Sequence, residues 1–310
     1  MGSRLALLCP GQGGQGPAMF DLARGDTQAG ALLDAWLAQA GLGTPVDTVL
    51  SDAHLLFSNR MAQPLIAAAT LATWTALGSA VAQPSIVAGY SLGELVAYGV
   101  AGSIEPGELV RLARQRAALM SACADGAPPQ ALVALSGLPV DAAAAIAGRL
   151  GFHRSIENGE DSLVVGGPAA ARDALEQAIG AAGGRVTVLP VELASHTPFL
   201  QGAVAPFAAL LRGERFLDPR MPVVSGIAAE PVHDAGKAIE HLARQLAEPI
   251  RWKDCMDALA EAGTTVALEL GPGAALTRML QARHPHIASR SVADFRSLDG
   301  VRAWLARHVE

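Results

Sequence analysis

The sequence predicts an α/β protein in which a small ferredoxin-like domain interrupts a large α/β domain. An apolar segment at 86–90 leads through Gly-x-Ser-x-Gly directly into a helix-forming stretch. Between about 126 and 192 the predicted elements follow the order β-α-β-β-α-β, which is typical of a ferredoxin-like module. The composition is 51% hydrophobic but only 4% aromatic, with 33 glycines, which favours helices packed closely on a sheet through small residues. We therefore assign the large domain to 1–127 and 193–310, and the small domain to 128–192.

The elements of the large domain follow from apolar periodicity and from turn residues. Gln63-Pro64 is predicted to open the second helix, and Ser103 to cap a later helix that has Pro106 in its first turn. In order, the predicted elements are a strand at 4–9, helices near 28–40 and 64–78, the strand 86–90, a helix to about Gly102, a helix over 105–121, strands at 221–227 and 265–271, and a helix at 274–282.

The inserted segment has a different order of strands and helices. Its predicted elements are a strand at 131–138, a helix at 140–150, a hairpin at 155–167, a helix at 168–182 and a strand at 185–193. The alternative is that these strands continue the large sheet. That alternative is less favoured because the hairpin interrupts the alternation of strand and helix.

Charge and cysteine usage limit the possible functions. The 310 residues carry a formal charge of −6 and their Lys and Arg residues form no block, so nucleic acid is not an expected partner. No apolar run predicts a membrane span and no signal peptide is predicted. The three scattered cysteines and the eight histidines suggest neither a disulfide framework nor a metal site. We expect a protein of the reducing cytoplasm without a metal.

Ser91, at the centre of Gly89-Tyr90-Ser91-Leu92-Gly93, is the candidate nucleophile of a strand-turn-helix elbow. The alternative is a glycine-rich turn that only packs a helix on a sheet. A serine needs a base, and His196 is the best candidate because it lies on a loop where the chain re-enters the large domain. A structural histidine remains the alternative there, whereas His241 is predicted to lie on the surface of a helix.

Two further features suggest how a substrate of Ser91 could be bound. The amide of Leu92 and one amide of the turn 10–13 could form an oxyanion hole, although 10–13 could also be a simple tight turn. Arg116 falls on the apolar stripe of its predicted helix, where a charge needs an anionic partner. That partner could be a structural carboxylate or a bound one, or the side chain could extend outward to water.

Six ordered motifs then identify a family. They are PGQGGQ at 10–15, AGYSLGE at 88–94, RQRAALM with Arg116, SH at 195–196, QLAEPIRW at 245–252 and ELGPG at 269–273. In these motifs, over nearly the whole chain, the sequence resembles the malonyl-CoA:acyl-carrier-protein transacylase family, whose pattern the acyltransferase domains of polyketide and fatty-acid synthases share. The C-terminal SVADFRSLDGVRAWL and the tyrosine of GYSLGE look more like the epsilon subunits of malonate decarboxylases.

The resemblance implies an α/β-hydrolase-like large domain, an active site between the two domains, malonyl-CoA as donor and the phosphopantetheine-type thiol of an acyl carrier protein as acceptor. It implies no cofactor, since the CoA thioester is itself the substrate. The implied roles are Ser91 as nucleophile, His196 as base, the amides of Gln12 and Leu92 as oxyanion hole, Arg116 as carboxylate-binding group, and the backbone carbonyl of Gln245 as the group that orients the histidine.

Several points stay open at this stage. Many family members carry histidine where Tyr90 stands, and Ser195 does not separate malonyl from methylmalonyl substrates. A trans-acting acyltransferase of a polyketide or fatty-acid synthase, a serine thioesterase or hydrolase, and a non-catalytic docking subunit are the rival interpretations. The sequence names neither the carrier protein nor the oligomeric state.

Overall fold

The large domain of the computed structural model is built on a six-stranded sheet. The structure describes residues 4–78, 83–191 and 193–309. The strands lie in the order β10-β9-β1-β2-β7-β8, and only β8 runs antiparallel to its neighbour. They are β1 (Leu5–Cys9), β2 (Ile86–Gly89), β7 (Val223–Val224), β8 (Pro231–Val232), β9 (Val266–Glu269) and β10 (Ala288–Ser291).

The small domain is a four-stranded antiparallel sheet in the order β4-β5-β3-β6. Its strands are β3 (Gln130–Ser136), β4 (His153–Glu157), β5 (Ser162–Pro168) and β6 (Arg185–Val188), and all of them lie inside the predicted range 128–192. One helix follows β3 and another follows β5, so the order β-α-β-β-α-β gives the ferredoxin-like sheet that the sequence predicts.

Helices cover both faces of the large sheet and one face of the small one. They are α1 (Asp21–Arg24), α2 (Thr27–Ala40), α3 (Val46–Ser51), α4 (Ala53–Phe57), α5 (Asn59–Leu77), α6 (Leu92–Val100), α7 (Pro106–Ala122), α8 (Val140–Gly148), α9 (Arg172–Ala181), α10 (Gln201–Gly213), α11 (Ala235–Arg244), α12 (Trp252–Glu261), α13 (Ala275–Arg283) and α14 (Leu298–His308). Among the described residues no helix is long and apolar enough to cross a membrane.

The large sheet divides the core of its domain in two. Strand β1 shows this, because successive side chains of a strand point to opposite faces of the sheet. Leu5, Leu7 and Cys9 pack on one face with the buried residues of α2, α5, α6 and α7. Ala6 and Leu8 pack on the other face with α12, α13 and buried residues of the small sheet. The small sheet is therefore joined to the large domain through a shared apolar core.

The parallel register brings the functional turns to one edge of the sheet. Cys9 pairs with Gly89, and Leu8 pairs with Glu269. These strands therefore end together, so the turns that follow β1, β2 and β9 become neighbours, as in other open α/β sheets. This edge is where the candidate site lies.

Two predicted helix starts are wrong. Helix α5 begins at Asn59 rather than at Gln63-Pro64, and Pro64 lies inside it. A proline so near a helix start removes only one N–H from the ladder, so the first turn can extend ahead of it. The N-cap of α7 is Glu105, whose carboxylate accepts the Glu108 amide at 3.1 Å, and not Ser103.

The crossing of α6 over β1 predicts that Gly93→Ala destabilises the fold. A Cβ at Gly93 would overlap the Cys9 carbonyl, and overpacking of this kind costs about 1–3 kcal/mol. Urea unfolding followed by circular dichroism measures the loss. Gly148→Ala, in α8 with open space around it, is the control and should be neutral or slightly stabilising. Equal midpoints for the two variants would contradict the crossing as described.

Candidate active site

Ser91 stands at the tip of a sharp turn between β2 and α6. Its backbone has φ 55° and ψ −113°, a conformation that residues other than glycine rarely adopt. The turn is possible because Gly89 and Gly93 approach each other without side chains, and a Cβ at Gly89 would overlap the Gly93 backbone. The strain is stored where the side chain has to project, as is common at functional sites.

The hydroxyl of Ser91 is paired with His196. Ser91 Oγ lies 2.7 Å from His196 Nε2, and His196 Nδ1 lies 2.5 Å from the backbone oxygen of Gln245. A carbonyl oxygen only accepts hydrogen bonds, so Nδ1 carries the proton and Nε2 is left as the acceptor for the serine hydroxyl. This is the tautomer that a general base requires.

His196 is held on a tightly fixed loop between β6 and α10. It has φ 60°, is 1% exposed, and its amide donates to the Leu246 carbonyl at 2.9 Å. Burial and the positive charge of Arg116 lower the pKa of His196 to about 3, against the raising effect of the Gln245 carbonyl. The free imidazole is therefore neutral at ordinary pH.

The two amides predicted for an oxyanion hole flank the serine. Leu92 is the first residue of α6, and Gln12 follows Gly11, whose added Cβ would lie 2.7 Å from the Tyr90 oxygen and 3.6 Å from Ser91 Cβ. In the described part of the chain, neither the Leu92 nor the Gln12 amide has a backbone or side-chain acceptor. Both donors are thus available for an anion that forms on a group bound at Ser91.

Arg116 is buried as its helical position predicts, with 2% exposure. Its Nη1 donates to Gln63 Oε1 at 2.9 Å and its Nη2 to Gln245 Oε1 at 3.1 Å. Burial lowers the pKa of Arg116 to about 10, and the charge of Glu94 opposes that effect. Within residues 4–78, 83–191 and 193–309, no carboxylate forms a salt bridge with it, which separates the observed site from the structural-carboxylate alternative.

The side chain of Gln245 has a role that the sequence did not indicate. Besides accepting from Arg116, its nitrogen donates to Glu94 Oε2 at 2.5 Å and to the Ser91 carbonyl at 3.2 Å. Glu94 is fully buried, and burial raises its pKa to about 7 despite the hydrogen bonds from Gln245 and Gly226 and the charge of Arg116. The sequence signals for Glu94 were its place three residues after the serine and its position at the end of the motif AGYSLGE, and neither indicated this contact.

The other side of Arg116 is held by a second set of amides that the sequence also missed. Gln63 Nε2 donates to Asn59 Oδ1 at 2.7 Å, and Asn59 Nδ2 donates to the Ala117 carbonyl at 2.9 Å. Gln12 Nε2 also reaches Asn59 Oδ1, at 3.4 Å. The early start of α5 places Asn59 on the same helix, one turn before Gln63, whereas the predicted start at Gln63-Pro64 had left Asn59 outside the helix.

Tyr90 joins the two domains beside the nucleophile. Its hydroxyl donates to Asn158 Oδ1 at 3.1 Å, in the β4–β5 turn of the small sheet. Its ring meets Trp252 edge-on, with 5.3 Å between the ring centres. Burial raises the pKa of Tyr90 far above its usual range, so this contact is made by a neutral phenol.

A cavity of about 370 Å³ opens onto the serine–histidine pair. Its walls come from both domains and include Gln12, Ser91, His196, Leu132, Ile156 and Asn158. Arg116, Leu92 and Gln245 are not among its lining residues, and Arg116 is connected to Ser91 through Gln245. A larger cavity of about 860 Å³ adjoins it and shares Gln12 and Val191 with it.

One histidine was assigned wrongly. His241 was predicted to lie on the surface of a helix, but it is 7% exposed and its Nδ1 lies 2.9 Å from Ser225 Oγ. The strongly amphipathic helix α11 turns this residue toward the core. In the described residues no cluster of His, Cys, Asp and Glu could hold a metal ion.

Comparison with known proteins shows the family of the chain. The family model described as "Acyl transferase domain" matches residues 7–295. The malonyl CoA-acyl carrier protein transacylase of Mycobacterium tuberculosis is 30% identical over 298 residues, which cover 95% of this chain and 98% of that protein. The crystal structure of the malonyl-CoA:acyl carrier protein transacylase of Helicobacter pylori superposes with a TM-score of 0.90 at 27% identity, covering 99% of this chain and all of that one.

A third comparison includes a carrier protein. The chain resembles a malonyl-transacylase solved in complex with its type II polyketide synthase acyl-carrier protein, with a TM-score of 0.88 and 27% identity over 97% of this chain and 99% of that one. These likenesses confirm the predicted α/β fold class with its two subdomains.

The lowered pKa of His196 predicts that Ser91 stays reactive in mild acid. An ordinary histidine, titrating near 6.5, would lose about thirtyfold of its neutral form between pH 8 and pH 5. Here the imidazole remains neutral over that range, because protonation begins only as the pH approaches about 3. The rate of Ser91 labelling by a fluorophosphonate should therefore change only a few-fold between pH 5 and pH 8. Ser91→Ala is the unlabelled control, and a rate that halves near pH 6.5 would contradict the prediction.

Proposed function

The chain belongs to the acyl transferase family, and on that premise we propose that it moves a malonyl group from malonyl-CoA to the thiol of an acyl carrier protein through a malonyl-serine intermediate. The observation that carries the substrate class is Arg116. Its buried guanidinium is connected to the nucleophile through the Gln245 side chain, and its observed partners are two neutral amide oxygens. Such a group can still receive a carboxylate in the planar fashion that suits arginine.

The first half-reaction is acylation of the serine. Ser91 Oγ attacks the thioester carbon while its proton passes to His196 Nε2. The oxyanion that forms on the carbonyl oxygen is placed to accept from the amides of Leu92 and Gln12. As the tetrahedral intermediate collapses, the carbon–sulfur bond breaks and the CoA sulfur leaves with the proton from His196.

The second half-reaction is the same chemistry in reverse. The carrier thiol gives its proton to His196, and its sulfur attacks the malonyl ester. The ester bond to Ser91 breaks, and the serine oxygen takes the proton back. Every step uses groups of this chain and the two thiols, so we propose that the enzyme needs no cofactor beyond the CoA thioester that it consumes.

A serine hydrolase with the same elbow is the alternative, and the relatives do not favour it. Hydrolases commonly orient the histidine through a carboxylate. In the described residues the orienting group of His196 is the Gln245 carbonyl, and no carboxylate bonds to the imidazole. The nearest buried carboxylate of the network, Glu94, contacts the Gln245 side chain instead.

For the pathway, we propose only the general setting of the reaction. The relatives named above act on malonyl-CoA and carrier proteins, and fatty-acid or polyketide synthesis is the setting that their names indicate. Service as the malonate decarboxylase epsilon subunit, indicated by GYSLGE and the C-terminal motif, stays a prediction, as does a cytoplasmic location. The three free cysteines, Cys9, Cys123 and Cys255, support a reducing compartment.

Acylation of Ser91 is the direct test of the transferase reaction. Intact-mass spectrometry after incubation with malonyl-CoA should show a mass increase of one malonyl group, which persists until a carrier thiol is added and is then lost to it. Ser91→Ala should show no increase. Rapid release of free malonate without an acyl-enzyme would establish the hydrolase alternative instead.

Arg116→Ala should separate acyl groups by charge. Loss of a charge-assisted pair of hydrogen bonds to the substrate carboxylate is worth about 2–3 kcal/mol, so kcat/KM for malonyl-CoA should fall about thirtyfold or more. For acetyl-CoA, which has no free carboxylate, it should fall little or rise. Arg114→Ala, on the exposed side of the same helix, is the matched control. An equal loss with both substrates would refute the carboxylate-binding role.

A further inference from the structure

Resting on the proposed function, we propose that Glu94 is a positioning residue. Its carboxylate fixes the orientation of the Gln245 side-chain amide, and Gln245 in turn holds the guanidinium of Arg116 in place for the carboxylate of the acyl group. Glu94 thereby acts on substrate selectivity through two other residues, without touching the substrate.

The contacts of Glu94 place it at the base of this arrangement. Its Oε2 accepts from Gln245 Nε2 at 2.5 Å and from the Gly226 amide at 3.0 Å. A Cβ at Gly226 would lie 2.7 Å from that oxygen, so the loop after β7 closes directly on it. The side chain is fully buried on the first turn of α6, the helix that begins at the nucleophile.

The polarity of the hydrogen bonds gives the orientation. An amide has one accepting end and one donating end, and a guanidinium only donates. The Glu94 oxygen needs a donor, so it draws the nitrogen of Gln245 toward itself, and the Ser91 carbonyl does the same at 3.2 Å. The oxygen of Gln245 then faces Arg116. If the amide were reversed, it would set N–H groups against the guanidinium.

The other half of the guanidinium is oriented without a carboxylate. Gln63 presents its oxygen to Arg116 because its nitrogen donates to Asn59, whose own amide is fixed by the Ala117 carbonyl. One side of the arginine is therefore held through a backbone carbonyl of its own helix, and the other through Glu94. Both contacts of the guanidinium are with neutral amide oxygens, whereas a carboxylate of the protein bound there would occupy the place proposed for the carboxylate of the substrate.

An accepting oxygen, rather than a negative charge, is the property that this role needs. Glu94 Oε1 has no hydrogen-bond partner among the described residues, so a proton there would leave Oε2 free to accept. The raised pKa of Glu94 agrees with a site that tolerates the neutral form. A glutamine at this position can supply the same oxygen, but a methionine of similar size cannot.

The experiment compares Glu94→Gln with Glu94→Met. The readout is kcat/KM for malonyl-CoA and for acetyl-CoA, with free pantetheine as the acceptor thiol, and thermal unfolding is measured in parallel. We expect Glu94→Met to lower the malonyl-to-acetyl ratio about tenfold or more, mainly through KM for malonyl-CoA. Glu94→Gln should keep the ratio within a few-fold of the wild type. An unchanged ratio in Glu94→Met, or an equal loss in both variants, would overturn the proposal.

A matched control and a double-mutant cycle separate positioning from folding. Asp257, a carboxylate of α12 that pairs with Arg283, does not line the cavity at Ser91, so Asp257→Leu should lower stability and leave the ratio unchanged. Gln245→Met should lower the ratio, and adding Glu94→Met to it should lower it no further. Additive losses would overturn the proposal. If Glu94→Met does not fold, two other results would overturn the proposal. One is a malonyl-to-acetyl ratio in Glu94→Gln that falls tenfold or more, and the other is an unchanged ratio in Gln245→Met.

Malonyl transfer by the wild-type protein tests the proposed function separately from the role of Glu94. Malonyl transfer by the wild type with an unaltered ratio in the variants would overturn the role of Glu94 alone. No malonyl transfer by the wild type would overturn the proposed function and, with it, the inference drawn from it.

Discussion

The buried amide of Gln245 connects the serine–histidine pair with Arg116, the group proposed to bind the carboxylate of the substrate. Its backbone oxygen accepts from His196, its side-chain oxygen accepts from Arg116, and its nitrogen donates to Glu94 and to the Ser91 carbonyl. A shift of this one residue would move the base and the guanidinium together. The geometry of the acyl transfer site therefore depends on how firmly the segment between α11 and α12 is held.

Burial of Arg116 is the energetic difficulty of such a site, because a charge taken out of water is costly unless it is paired. Two amide oxygens accept hydrogen bonds from the guanidinium directly, and the Glu94 carboxylate contacts one of these amides, that of Gln245. These groups partly offset the charge, and a carboxylate on the acyl group can complete the pairing. The same charge also disfavours protonation of His196, so Arg116 helps to keep the imidazole neutral.

The two domains share the work of holding the nucleophile and the base. Ser155, in β4, donates to the Ser195 carbonyl at 2.8 Å, immediately before the histidine. Strand β4 is also linked to the large domain by an isolated parallel β-bridge between Ile156 and Ile250. Together with the hydrogen bond between Tyr90 and Asn158, these contacts close the small sheet over the elbow and give the cavity its second wall.

The sequence by itself determined the features that depend on neighbouring residues. The elbow at Ser91 follows from its flanking glycines, and the burial of Arg116 follows from helical periodicity. It also determined the fold class, because the order of strands and helices restricts how sheets can be formed. The predicted start of α5 was wrong because a proline is only a weak signal for a helix start. The contacts of the Gln245 side chain with Arg116 and with Glu94 were decided by tertiary structure alone, since hydrogen bonds between residues more than a hundred positions apart leave no local pattern in a sequence.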